Sequence, residues 1–248
     1  MLTKFVDRLL ELAEPHIFKM DNGDEFVDKK VTRMPKEIRA EPVRVSSLTG
    51  LVEYIMRFER DLSKEAGYFV QVMGPTMVRL VSGLDGDRER EVLAEAVADV
   101  PQIPFGKFVS NEQMIIIMQS MFTETPADRL NPVTDRDLVL KFAGTVVNGS
   151  VKEYGDDGIT QKATIRDGIA SKSEAIVPNP CTLRPFRTFQ EIEQPASLFI
   201  FRMKEDGSGG EIYSALFEAD GGAWKYTARE SIALWLQSAL DGKLPVIS

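Results

Sequence analysis

The feature that most narrows what this chain can fold into is its punctuation: short β-rich runs broken by Gly, Pro and Asp, with capped helical stretches set apart from them. Tyr68-Phe69-Val70-Gln71-Val72 and Met77-Val78-Arg79-Leu80-Val81 flank a Gly74-Pro75 step. β-Branched and aromatic side chains suit a pleated strand and the Gly-Pro step reverses the chain, so the two runs predict a hairpin. Between Arg90 and Val100 the Ala and Glu content favours a helix, but Val92, Ala94, Ala96 and Ala98 alternate in the strand period, and after a hairpin the alternation leans towards a third antiparallel strand. Gly155-Asp156-Asp157-Gly158 separates a second pair of strands, Thr145–Val151 and Ile159–Ile165. Further strands are predicted at Ser173–Val177, Ser197–Met203 and Ile212–Glu218, with Gly207-Ser208-Gly209-Gly210 turning between the last two.

The helices carry their own start signals. Ser46 or Ser47 caps a helix with Leu48, Leu51, Val52, Ile55 and Phe58 on one face. Ser110 and Gln113 form a capping box ahead of Met114-Ile115-Ile116-Ile117-Met118, and Thr134 with Asp137 opens a helix to about Phe142. Thr227 and Glu230 make another box. It opens a last helix, Ala228–Leu240, that buries Ile232, Trp235, Leu236 and Leu240 and stops at Gly242. Strands joined as hairpins, with helices segregated from them, predict an α+β fold of antiparallel sheets with packing helices and a capped C-terminal helix. Ahead of it, Leu2, Phe5, Val6, Leu9 and Leu10 predict a helix ending before Pro15, and Asp21–Glu25 a turn. The stretch to Pro42 has little periodicity. Residues 1–45 therefore read as an N-terminal helix and irregular arm, and 46–248 as a single α+β domain.

The residue inventory excludes much chemistry. One cysteine, Cys181, rules out an internal disulfide and a thiolate cage, and one histidine, His16, rules out His-rich zinc sites. His16 sits beside Pro15 in a connection, a poor place for the base of a triad. Arg184 and Arg187 near Cys181 would lower its pKa, although a small buried thiol is the commoner case. No phosphate-cradling Gly-x4-Gly-Lys motif occurs, and no cofactor is expected. Asp85-Gly86-Asp87 and Asp156-Asp157 could hold a hard cation, but both fall where hairpins want Asp and Gly for backbone reasons. With 38 acidic against 30 basic residues the chain carries a net charge of −8, which argues against nucleic acid as a partner. The basic run Lys29, Lys30, Arg33, Lys36, Arg39 is interleaved with Asp28, Glu37 and Glu41 and reads as a solvated face. With no secretory segment and no apolar run near 18 residues, the expectation is a cytoplasmic protein away from membranes.

Two segments invite a functional reading. Pro178-Asn179-Pro180-Cys181-Thr182-Leu183-Arg184-Pro185-Phe186-Arg187-Thr188-Phe189 is a stiff, extended strip. In it Arg184 and Arg187 alternate with Phe186 and Phe189, the composition of a recognition surface. The alternative is a crossover that buries its phenylalanines and pairs its arginines with Glu191 and Glu193. The other segment is Met114–Met118, apolar all round, which suits a helix buried in its own chain or in a partner. Ile116, at its centre, is the candidate contact there.

The series Ile176-Val177-Pro178-Asn179-Pro180, Arg184-Pro185-Phe186-Arg187-Thr188-Phe189, Glu193-Gln194-Pro195 and Glu218-Ala219-Asp220-Gly221-Gly222 resembles the YfdQ-like family of phage and prophage proteins. The similarity runs from about Ser47 to Leu240 and takes in Gly158-Ile159-Thr160-Gln161; the first 45 residues match less well. The resemblance implies a phage or prophage origin and expression among early or accessory genes, and carries over no catalytic residues. The leading expectation is a non-enzymatic accessory protein that binds other proteins and self-assembles as a homo-oligomer, a ring or shell among the options, with a host protein as a further partner. Two other readings stay open. One is a metal-dependent enzyme acting on nucleotides or nucleic acid through clustered carboxylates. The other is a single-strand nucleic-acid binder stacking bases on Phe105, Phe108, Phe186 and Phe189 beside Arg184, Arg187 and Lys107.

Overall fold

In a computed structural model, residues 15–21, 25–28, 39–62, 67–86, 88–124, 134–148, 154–156, 161–167, 171–176, 179–205 and 212–248 are described. The chain divides into two units, Met1–Ala40 and Glu41–Ser248. In the first, β1 (Ile17–Lys19) pairs antiparallel with β2 (Glu25–Val27); residues 22–24 of the expected turn lie outside the described residues. Asp28 closes this hairpin, its carboxylate accepting from the His16 N–H at 2.8 Å and lying 3.2 Å from the imidazole Nδ1. The only imidazole is thus a hairpin clasp. The helix expected before Pro15 lies outside the described residues.

The second unit runs β3 (Val43–Val45), α1 (Leu48–Arg57), β4 (Tyr68–Gly74), β5 (Met77–Ser82), β6 (Val92–Val97), β7 (Val109–Ser110), α2 (Asn111–Ser120), α3 (Asp135–Asn148), β8 (Tyr154–Asp156), β9 (Gln161–Asp167), β10 (Ser171–Ile176), β11 (Cys181–Leu183), β12 (Ser197–Glu205), β13 (Ile212–Glu218), α4 (Trp224–Leu240) and β14 (Val246–Ile247). The class is α+β. Val43–Val45, assigned to the arm from the sequence, belong with this unit. No helix among the described residues is long and apolar enough to cross a membrane.

Among the described residues of this unit three sheets form, ordered β14-β4-β5-β6-β3, β11-β12-β13-β7 and β10-β9-β8. The β4–β5 hairpin and the third strand, β6, pair antiparallel as the alternation predicts. The edges differ from the all-antiparallel expectation: β3 runs parallel to β6, and β14 parallel to β4. A parallel neighbour needs a crossover connection, and here β3 leads into α1 while β14 follows α4.

The unit has two hydrophobic cores. In one, Leu48, Leu51 and Ile55 of α1 and Ile232, Leu236 and Leu240 of α4 cover Val70, Val72, Val78, Leu80, Ala94 and Ala96 of the five-stranded sheet. In the other, Met114 and Met118 of α2 and Val139, Phe142 and Ala143 of α3 cover Phe199, Phe201, Met203 and Leu216 of the four-stranded sheet. Ser47 Oγ accepts from the Gly50 N–H at 3.0 Å and Ser110 Oγ from the Gln113 N–H at 3.3 Å, so α1 and α2 start where their serines dictate.

Three boundaries depart from the sequence reading. Phe58 lies just past α1, exposed and stacked on Tyr54. α3 continues through Asn148, so the strand expected from Thr145 does not begin there; β8 opens the next sheet at Tyr154. The β-branched Val146 and Val147 suggested a strand, but a helix already capped by Thr134 and Asp137 and anchored on a sheet propagates cheaply through residues of modest propensity. Finally, α4 starts at Trp224, three residues before the Thr227 box, because Asp220 caps it instead: its carboxylate accepts from the N–H groups of Gly222 (2.9 Å) and Trp224 (3.3 Å). Gly221 and Gly222, at φ of 63° and 83°, supply the left-handed turn that brings this carboxylate back under the helix. The Gly207–Gly210 turn lies outside the described residues.

Candidate functional site

The proline strip begins in one core and ends in the other. Cys181 and Leu183 pair with Phe199 and Ser197 and are buried beside α3. Burial pushes the Cys181 thiol up to about 12, with Asp135 adding to the effect, so its neighbourhood works against thiolate chemistry rather than for it. Next, the Thr123 N–H donates to Arg184 O and the Phe186 N–H to Met121 O, both at 2.9 Å, fixing the strip to the end of α2. Phe189 and Ile192 then enter the core under α1 and α4. The Thr188 hydroxyl donates to Pro75 O in the β4–β5 turn, and the Glu191 carboxylate accepts from the Thr49 N–H at 2.9 Å at the start of α1. Gln194 holds the bend: its Oε1 accepts from the N–H groups of Arg187 and Thr188, and its amide donates to Phe189 O at 3.0 Å.

Arg187 is the centre of this arrangement. Its side chain is 7% exposed, with the guanidinium 3.9 Å from the Trp224 ring centroid and 5.7 Å from that of Phe199. Nη1 donates to Glu218 Oε1 at 2.8 Å, and Nη2 to the Ser197 hydroxyl, which in turn donates to Asp220 Oδ2 at 2.7 Å. Burial pushes the guanidinium down to about 10 against the pull of Glu218 and Asp220, so it stays charged at neutral pH. Burial also opposes the charged form of Asp220, but the Ser197 hydroxyl, the Gly222 and Trp224 N–H groups and Arg187 outweigh it and hold this carboxyl below the ordinary range.

Of the residues singled out from the sequence, Arg187 and Phe189 are therefore interior and offer no recognition surface. A planar cation above two rings, with a carboxylate on its fork, meets its partners inside the fold, and Phe189 fills a core. Arg184 pairs with Glu193 at the surface and Phe186 is half-buried. The rings of the base-stacking reading are also occupied. Phe105 stacks on Phe199 (5.2 Å), and Phe108 packs edge-on against Phe217 with the Lys204 ammonium 4.4 Å from its centroid. Asp85 acts as a turn residue, its carboxylate accepting from the Glu89 N–H at 2.8 Å. Asp87 and Asp157 lie outside the described residues. No group of three or more His, Cys, Asp or Glu converges to hold a metal among the described residues.

The apolar run on α2 divides by face. Met114 and Met118 are buried, Ile115 and Ile117 half-buried, and Ile116 is 55% exposed. Beside it opens a cavity of about 320 Å³ lined by Gln102, Pro104, Val109, Gln113, Ile116, Ile117 and Met121, none of them charged. The sequence singled out Ile116 but missed the cavity, whose wall comes from the loop before β7. It also missed Ser197, Glu218, Asp220 and Trp224 around Arg187. The signal for Asp220 was present: Asp-Gly-Gly before an amphipathic stretch is a cap followed by a turn. Neither the protein-family models, nor the curated proteins, nor the solved structures compared with this chain give a match.

Proposed function

We propose that the protein is a non-enzymatic phage or prophage accessory protein that acts by binding proteins, first of all a second copy of itself through the exposed face of α2. The observation that carries this reading is Ile116 standing out of a helix next to an uncharged cavity. A single exposed isoleucine is ordinary; one beside an apolar hollow on the same face is a knob with a hole. Twofold symmetry places each knob over the partner's hole, the self-complementary pattern that closed dimers use. Electrostatics supports the same face. Two copies of a chain of net charge −8 repel one another, and the cavity lining holds no charged side chain that must be desolvated, the exposed Glu112 lying one turn before Ile116. The phage or prophage part rests on the resemblance of the proline strip and the Glu218–Gly222 turn to the YfdQ-like family.

Sedimentation velocity of the purified chain up to about 100 μM, a range that reaches weak dimers, is expected to show a concentration-dependent dimer or a larger closed assembly. Ile116→Asp is expected to shift the population to monomer with its melting temperature unchanged, because the side chain contributes nothing to either core. A wild type that stays monomeric over the whole range sinks the reading. A ring or shell would require a second, different contact besides this one.

A further inference from the structure

The structure assigns a second self-contact to the β1–β2 hairpin: its Phe18–Phe26 face pairs with the same face of another copy and joins α2 dimers into a closed assembly of four chains. This rests on the dimer reading and supplies the different contact that a larger assembly needs. Register sets the two faces of the hairpin. Phe18 lies opposite Phe26 on one side, and Ile17 opposite Val27 and Lys19 opposite Glu25 fall on the other. Phe18 is 54% exposed, Phe26 53%, and Met20, next after β1, 56%. Neither phenylalanine belongs to a hydrophobic core of the chain's larger unit. A two-stranded hairpin is marginal in water by itself and gains stability when an apolar face is packed. Two phenylalanines directly opposite one another and half in solvent therefore call for cover.

Charge and area point to a second copy as the cover. The charges flanking the phenylalanines are paired within the hairpin, Lys19 with Glu25 at 2.6 Å and Asp28 with the His16 ring at 3.2 Å. Chains of net charge −8 can thus meet on this face without desolvating an unpaired charge. Asp21 and Glu25 at the turn end oppose entry into an anionic bilayer, so lipid is the poorer fit. A twofold axis lays each Phe18–Phe26 pair over the other. Three side chains of this size, each half exposed, bring roughly 300 Å² per copy, so one hairpin pair covers roughly 600 Å². That is too little to hold two single chains. When one dimer meets another, the symmetry of four chains forms two hairpin pairs at once, and roughly 1,200 Å² reaches the lower bound of stable interfaces.

Sedimentation velocity of the full chain up to about 100 μM is expected to show dimers passing into tetramers. Phe18→Thr with Phe26→Thr keeps strand propensity while removing the rings. It should stop assembly at the dimer and leave the melting temperature in place, since neither residue lies in a core. The matched variant on the other face, Ile17→Thr with Val27→Thr, should leave the tetramer intact. A wild type that stops at the dimer would overturn this contact and leave the α2 reading standing, whereas a monomer would remove both. Tetramers that survive Phe18→Thr with Phe26→Thr, or that the matched variant abolishes equally, would also overturn it. So would binding of phosphatidylglycerol vesicles through the same phenylalanines by a chain that stays dimeric.

Discussion

Arg187 shows what the Arg-Phe composition of the strip is for. A guanidinium taken out of water costs several kcal/mol unless its donors and its π-face are used, and here Glu218, Ser197 and the Trp224 ring use both Nη groups and the face, while Nε is buried without a hydrogen-bond partner among the described residues. A lysine could keep the charge but has neither the planar fork that spans Glu218 and Ser197 nor a flat face to lie on the indole. Arg187→Lys is therefore expected to lower unfolding stability by about 1–2 kcal/mol. Arg187→Ala should lower it by about 3 kcal/mol, held to the low end for a buried pair because Glu218 reaches solvent. Urea denaturation reads both, and an alanine variant within about 0.5 kcal/mol of wild type would show that the node contributes little. From the sequence, an arginine flanked by phenylalanines is equally a surface anchor and an interior clamp. The partner that decides between them, Trp224, lies in a different element, so no local pattern reveals it.

At the scale of elements, what could be read in advance follows what local chemistry determines. The β4–β5–β6 meander and the starts of α1 and α2 were legible because turn residues, side-chain alternation and capping serines act within a few residues of the backbone they shape. The end of α3 was not, since Val146 and Val147 favour strand while tertiary anchoring favours helix. The parallel edges were not either, because strand neighbours are chosen by the whole topology. The start of α4 is the most instructive miss, as two rival caps stood in the sequence. Asp220→Ala should destabilise by about 1–2 kcal/mol, whereas Thr227→Ala and Glu230→Ala should stay within about 0.5 kcal/mol. Equal losses from Thr227→Ala would restore the box. The pH dependence gives a second reading. Asp220 and Asp137 are both held below their ordinary 3.8, Asp137 chiefly by hydrogen bonds from Thr134. A depressed carboxyl stabilises fully above the unfolded value, and that stability is lost as pH falls through the folded one. The wild type should thus lose stability steeply below about pH 4, and Asp220→Asn should flatten part of that slope.

For the larger unit, the question is whether two cores behave as two bodies or one. Each has its own sheet and its own pair of helices, which would allow separate melting. The strip from Cys181 to Gln194 argues for one transition, since it contributes Cys181 and Leu183 to one core and Phe189 and Ile192 to the other. Its bend is held by buried hydrogen bonds between Gln194 and the backbone of Arg187 and Phe189. Arg187 adds a second tie, linking β12 and the end of β13 to the first turn of α4, whose later turns pack in the opposite core. Cys181 supplies a probe for its side, because a thiol pushed up to about 12 and shielded from solvent reacts only when that core opens. Amide exchange of β4 and β5 reports the other. In a urea series, thiol labelling and amide exchange are expected to give the same opening free energy in the wild type. Phe189→Ala, which should cost about 3–5 kcal/mol on one side only, ought to pull the two apart if the strip is the coupling. Labelling of Cys181 well before β4–β5 exchange in the wild type would mean that the cores are already independent, with the strip a linker and not a staple.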